Sequence, residues 1–189
     1  MRKSVVAFAV CCTLVLSIMG IAGCHRPSVR DYFLKGIEYK TKKQFDKAID
    51  CYTKAINKGG ISNDNLAMLY IYRGDVFVEK KLHDQAIGDY SKAIELDPKN
   101  VNTYAYRCDE YDIKKLYDRA IGDCNKAIEL DPKYVMAHIY RGNVFTDKKL
   151  YDQAIGDYSR AIELDPKNKK AYCYRGYAYA KKKLYDQAF

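Results

Sequence analysis

A chain of 189 residues that is 48% apolar has the length of one domain and enough apolar surface to bury a core, which excludes a short or purely solvated peptide. Its net charge of +9 would suit nucleic acid or an anionic membrane, and where the charges fall decides between them. The first element, MRKSVVAFAVCCTLVLSIMGIAGC, has a basic start at Arg2 and Lys3, an apolar run from Val5 and a small-residue site before Cys24. A secretory signal is built in this way.

Ile21-Ala22-Gly23-Cys24 also resembles the bacterial lipobox, in which cleavage leaves a lipid-bearing cysteine at the new N-terminus. The resemblance implies a signal peptide at 1–23, a palmitate-bearing Cys24, a linker at 24–28, and a chain in the cell envelope, anchored by lipid to the periplasmic face of the outer membrane. Plain secretion or an uncleaved anchor stays open, because Val5 to Gly23 is just long enough to span a bilayer. All three put the remainder outside the cytoplasm and exclude nucleic acid as a partner. Cleavage takes two of the 33 basic residues and none of the 24 acidic ones, leaving +7. It also removes Cys11 and Cys12, and with Cys24 used by lipid, Cys51, Cys108, Cys124 and Cys173 remain where disulfides persist, with no CxxC pair among them.

From residue 29 onward the chain repeats itself. Arg73-Gly74, Arg107-Cys108, Arg141-Gly142 and Arg175-Gly176 recur with a period of 34, as do Ala86, Ala120, Ala154 and Ala188, and Pro98, Pro132 and Pro166. Each unit reads as two helices. The A helix ends near a Lys-Lys-Leu turn, the B helix opens at Asp84, Asp118 or Asp152 as expected N-caps, and proline stops it. Glycine at the eighth place and alanine at the twentieth let the pair approach closely, and no unit buries its apolar face alone.

Within residues 67–100, Tyr70, Gly74, Phe77, Ala86, Tyr90, Ala93 and Pro98 occupy the fourth, eighth, eleventh, twentieth, twenty-fourth, twenty-seventh and thirty-second places. This pattern resembles the tetratricopeptide repeat (TPR) family across residues 29–189. The resemblance implies an all-α, right-handed solenoid of helix-turn-helix units at about 29–66, 67–100, 101–134 and 135–168, with a partial fifth at 169–189.

Two units depart from the pattern. In the first, Gly59 to Asp64 reads as a glycine stop, a loop and a polar cap for the next helix. The same unit has Lys35 and Cys51 where later units have arginine and Asp89, Asp123 or Asp157; either an Arg–Asp bond within the unit is lost there, or a terminal unit has drifted. In the third, Cys108 takes the glycine place and Cys124 the aromatic place. Compensated packing, a disulfide near the limit of reach because the two stand about one turn out of register, or a site shared with His138 all stay open. In the fifth unit, Lys170 to Lys182 reads as a complete A helix carrying an exposed aromatic strip, with fraying expected from about Leu184.

No catalytic constellation, metal-ligand set or cofactor loop emerges. His25, His83 and His138 are dispersed, no serine lies in a GxSxG-like setting, and Gly88, Gly122 and Gly156 are single glycines within helices. The family resemblance instead implies a scaffold that holds a peptide or partner protein in a groove lined by A helices. Carried over by position, the groove residues are Tyr72, Tyr106, Tyr140 and Tyr174 at the sixth place, with Asp75, Glu79, Asp109, Asp112, Asn143 and Asp147 beside them at the ninth, twelfth and thirteenth. The middle of the groove is then acidic and aromatic, although these residues also read as inter-repeat packing and a solvated face. The lysines fall at helix ends, where they complement the helix dipole. The places from which one TPR subclass clamps a terminal carboxylate hold Phe33, Ile71, Ala105 and tyrosines, which disfavours that ligand. A self-associating envelope protein, dimerising through its C-terminal end, is the alternative function.

Overall fold

The computed structural model describes residues 26–186, and there the 34-residue period becomes a stack of helix pairs. The signal peptide and Cys24 lie outside the described residues. The elements are α1 (Val29–Thr41), α2 (Phe45–Lys58), α3 (Asn63–Glu79), α4 (His83–Leu96), α5 (Val101–Ile113), α6 (Tyr117–Leu130), α7 (Val135–Asp147), α8 (Tyr151–Leu164) and α9 (Lys169–Asp186). The fold is an all-α repeat solenoid in which the odd-numbered helices are the A helices. Among the described residues α1, α3, α5 and α7 each pack on their own B helix, every A helix after the first packs on the B helix before it, and α5 also touches α7.

Local chemistry starts and stops the helices. Ser28 and Asp31 form a capping box on α1. Ser62 caps α3 after Gly59 and Gly60, both at positive φ, so the glycine stop and polar cap fall where the sequence puts them. Asn100 and Asn168 accept from Thr103 N and Ala171 N at the starts of α5 and α9. The B helices differ from expectation: Leu82, Leu116 and Leu150 precede them with no side-chain cap. Asp84, Asp118 and Asp152 sit inside the first turn and pair with Lys114, Lys148 and Lys182 of the following unit, as Asp46 does with Lys80. These lysines therefore tie units together, although each exposed pair contributes under about 1 kcal/mol.

The Lys-Lys-Leu turns are Schellman stops. Lys43, Lys81, Lys115 and Lys149 take φ of 56–61°, and Leu82, Leu116 and Leu150 donate back to Phe77, Tyr111 and Phe145. At the corresponding Lys183 the chain stays helical, and α9 runs on to Asp186. This corrects the Lys182 boundary, and the helix also continues past Leu184, where fraying was expected. A left-handed lysine is costly, and among the described residues no B helix docks on α9 to repay it.

The core is built from rings laid on glycines. The Tyr90 ring covers Gly74 and the Tyr158 ring covers Gly142, so closely that a Cβ there would come within 2.8 and 2.6 Å of ring carbon. In the third unit Cys108 and Cys124 replace this pair, and the structure bonds them as a disulfide with Cα atoms 5.6 Å apart. The two places are therefore directly opposed, in the middle of the disulfide range and not one turn out of register.

The Arg–Asp bond within a unit is present in three units. Arg73, Arg107 and Arg141 each grip the aspartate of their own B helix, Asp89, Asp123 and Asp157, through Nε and Nη2 at 2.6–2.9 Å. Their Nη1 reaches back to Thr53, Ser91 and Asn125 on the preceding B helix. One side chain thus joins three helices. Arg107→Ala should destabilise the chain by roughly 2–4 kcal/mol in urea unfolding, because it strands the buried Asp123. Adding Asp123→Leu should recover part of that loss; no recovery would mean that the arginine acts through packing alone.

Candidate functional site

The sixth-place tyrosines are half-buried at 72, 106 and 140 and exposed at 174. Tyr72 meets Phe33 edge-on at 5.0 Å and lies 6.0 Å from Tyr52, Tyr106 lies 5.9 Å from Tyr90, and Tyr174 lies 5.8 Å from Tyr158. Tyr140 has no twenty-fourth-place ring before it and packs on the cluster containing Cys108 and Cys124. Each is thus an inter-repeat wedge whose remaining surface faces the A-helix side. Tyr72 lines neither of the two acidic hollows found there.

The first hollow, about 270 Å³, gathers Asp75, Glu79, Tyr106, Asp109 and Tyr140 with Lys40, Val78, Tyr90 and Glu110. The second, about 520 Å³, gathers Asp112, Asn143, Asp147 and Tyr174 with Thr146, Tyr158, Cys173 and Tyr177. A larger hollow of about 610 Å³ lies around Val29, Phe33, Ile61, Met68 and Leu69 in the first unit and contains none of the predicted groove residues.

A phenol-to-acceptor bond recurs beneath the groove. Tyr90 donates to Asp75 at 3.0 Å and Tyr158 to Asn143 at 2.8 Å, in each case from the twenty-fourth place to the ninth of the same unit. The first unit has Ile37 at the ninth place, and the buried Tyr52 hydroxyl finds no partner. The third unit shows the converse: Asp109 stands at the ninth place, but Cys124 has no hydroxyl to give it. Burial, together with the neighbouring Glu110, pushes Asp109 up to about 6 despite the field of Lys170.

Asp112 is more extreme. It is 9% exposed, its Oδ1 has no hydrogen-bond partner, and burial with the like charges of Asp147 and Asp109 pushes it up to about 7. Glu110, 2% exposed in a place where other units have Val76 or Val144, is compensated by His83 Nδ1 at 2.7 Å. Burial raises this carboxyl and His83 opposes the rise. The paired departures His83 and Glu110 were visible in the repeat alignment, and they would have marked this contact. His138 turns away from the cysteines, donating Nε2–H to Pro132 O at 3.2 Å with Nδ1 3.5 Å from Asp157.

Comparison with known proteins agrees with this geometry. Residues 74–107 and 142–183 match a family profile described as TPR repeat, and residues 32–57 one described as tetratricopeptide repeat. The solved MamA protein is 27% identical, with a TM-score of 0.72 over 85% of each chain. The first TPR of Spaghetti (RPAP3), solved bound to the HSP90 peptide SRMEEVD, is 27% identical, with a TM-score of 0.60 over 65% of this chain and 97% of that one. YrrB, described as a TPR protein with an unusual peptide-binding site, shares the fold at 21% identity, with a TM-score of 0.67 over 78% of this chain and 74% of that one.

Because Asp112 holds its proton more tightly when folded, its contribution to stability falls as pH rises from about 4, its unfolded value, to about 7. Asp112→Asn should therefore be more stable than the native chain by roughly 1–3 kcal/mol at pH 8 and nearly equal to it at pH 4. Urea unfolding at the two pH values measures this, and a difference independent of pH would remove Asp112 as the titrating group.

Proposed function

The chain belongs to the tetratricopeptide repeat family, and from that premise we propose that it is a cell-envelope scaffold holding an extended peptide or partner segment along its A-helix face. The observation that carries this reading is the row of tyrosines at 106, 140 and 174, the first two half-buried and the last exposed, bordering two acidic hollows. Tyrosine supplies contact area at low entropy cost, and the acids favour a basic segment. Two of the solved structures it resembles are described by the peptide they hold or by a peptide-binding site. The peptide SRMEEVD carries acids that this face would repel. A scaffold role without catalysis accords with the family fold.

The proposed location rests on the leader and is supported by the Cys108–Cys124 bond, since such bonds persist in oxidising compartments. Lipid on Cys24 would hold the first helix close to the membrane, only four residues away. A second reading, self-association, is favoured by α9, where Tyr172, Tyr177 and Tyr179 are 46%, 52% and 55% exposed.

Cys24→Ser should leave the precursor uncleaved and unlabelled by palmitate; labelling that persists would remove the anchor. For the groove, a partner recovered from detergent-solubilised envelope by the mature chain should bind less tightly and with a shallower salt dependence when Asp75, Asp109 and Asp112 are changed together to Asn. It should be lost in Tyr106→Ala that remains folded by circular dichroism. Binding and mass insensitive to these changes, with a dimer abolished by Tyr177→Lys and Tyr179→Lys, would favour self-association instead.

A further inference from the structure

The groove already contains one ammonium, supplied by the chain itself. Lys40 Nζ of α1 lies 3.1 Å from Asp75 Oδ2 of α3, while the Tyr90 hydroxyl donates to the other oxygen of the same carboxylate. Lys40 stands at the twelfth place of its unit and Asp75 at the ninth of the next. One unit further along, the corresponding residues are Val78 and Asp109, and Cys124 stands where Tyr90 stood, so ammonium and phenol are lost together. One unit further again, Asp112 occupies the lysine's place opposite Asn143. An acid stands there in place of the cation.

Asp112 is unusual for a charged side chain on a groove. It is nine-tenths buried, its Oδ1 has no partner, and the charges that act on it, Asp147 and Asp109, are of its own sign. The hollow it lines offers neutral oxygens at Asn143 and Thr146 and the ring of Tyr174; its lining contains no cation, and the one beside it, Lys181 Nζ, is engaged over the Tyr177 ring at 5.3 Å. A buried carboxylate without a partner is costly, and a cation brought from outside relieves that cost while finding aromatic faces suited to it.

Resting on the reading of this face as a groove for a partner segment, we propose that the hollow between α5, α7 and α9 is a pocket for a basic side chain of that segment, whose cation pairs with Asp112 and Asp147 and lies against Tyr174. The pocket selects lysine or arginine at one position of the ligand, and Lys40 marks where the same chemistry is satisfied internally one end of the groove earlier.

The test uses small probes that need no knowledge of the partner. Amide NMR spectra of the mature chain are titrated with n-butylammonium, methylguanidinium and neutral 1-butanol. The titrations are then repeated with an acetylated, amidated nonapeptide carrying lysine at its centre and with the same peptide carrying norleucine. At least one cation should shift Asp112, Asn143 and Asp147 at a concentration tenfold or more below that needed by 1-butanol. Asp112→Asn, checked for folding by circular dichroism, should erase the preference, and Glu95→Gln, at an exposed acid of α4 paired with Lys92, should keep it.

Equal response to 1-butanol, or a preference that survives Asp112→Asn, overturns the pocket. If the lysine and norleucine peptides bind alike, the groove stands and the pocket falls. If a cation binds while neither peptide does, the pocket stands and the groove reading falls. Movement of the same signals on dilution of the chain alone assigns the occupant to a second copy and overturns the partner segment.

Discussion

The seventh-place arginine is the joint of this molecule. A guanidinium presents its donors in a rigid plane, so gripping Asp89, Asp123 or Asp157 with two of them fixes how the A helix is turned against its own B helix. The remaining nitrogen then fixes the same A helix against the unit before. Because Nη1 of Arg175 also reaches Ser159, the last described helix keeps the inter-unit half of the joint. The tyrosine at the sixth place and the acid at the ninth flank this anchored residue along the helix. Their orientation into the groove is inherited from it.

Packing and ligand chemistry are linked in the third unit. Replacing a ring on glycine by the Cys108–Cys124 bond keeps the two helices together, but it deletes a phenol hydroxyl. Asp109 thereby loses the donor that Asp75 has, and Tyr140 packs against the cluster that contains the two cysteines. The same unit exchanges a core valine for Glu110 and draws His83 onto it. One region of the solenoid therefore carries most of the polar groups that a neutral core would have excluded, and the acidic hollows open beside it.

The period of 34 made the helix pairs, the glycine contacts and the row of tyrosines legible, because each depends on places that recur. The paired loss of arginine and aspartate in Lys35 and Cys51 pointed to the clamp but was equally compatible with drift in a terminal unit, and only the geometry separates the two. The left-handed lysines were hidden because Lys81 or Lys115 carries no side-chain signature of positive φ as glycine does. The B-helix aspartates misled for a similar reason: an N-cap and a second helical residue stand only two positions apart, and Lys114 or Lys148 claims the carboxylate from another unit. The isolation of Asp112 could not be read from one residue at all. It follows from what three helices fail to bring to it.

A stack of units joined end to end is also a chain that can be pulled. If one end is tethered at a membrane and the other is held by a partner, tension is shared in series, and units peel one after another since each touches only its neighbours. The covalent link at Cys108–Cys124 encloses a separation of 16 residues that cannot extend. Peeling of that unit releases about 50 Å less chain than its neighbours, at roughly 3.3–3.6 Å per residue. Its Cys108 side of the A helix and its Cys124 side of the B helix cannot part under load. The unit that borders both acidic hollows is therefore also the link whose two helices stay together longest when the array is stretched.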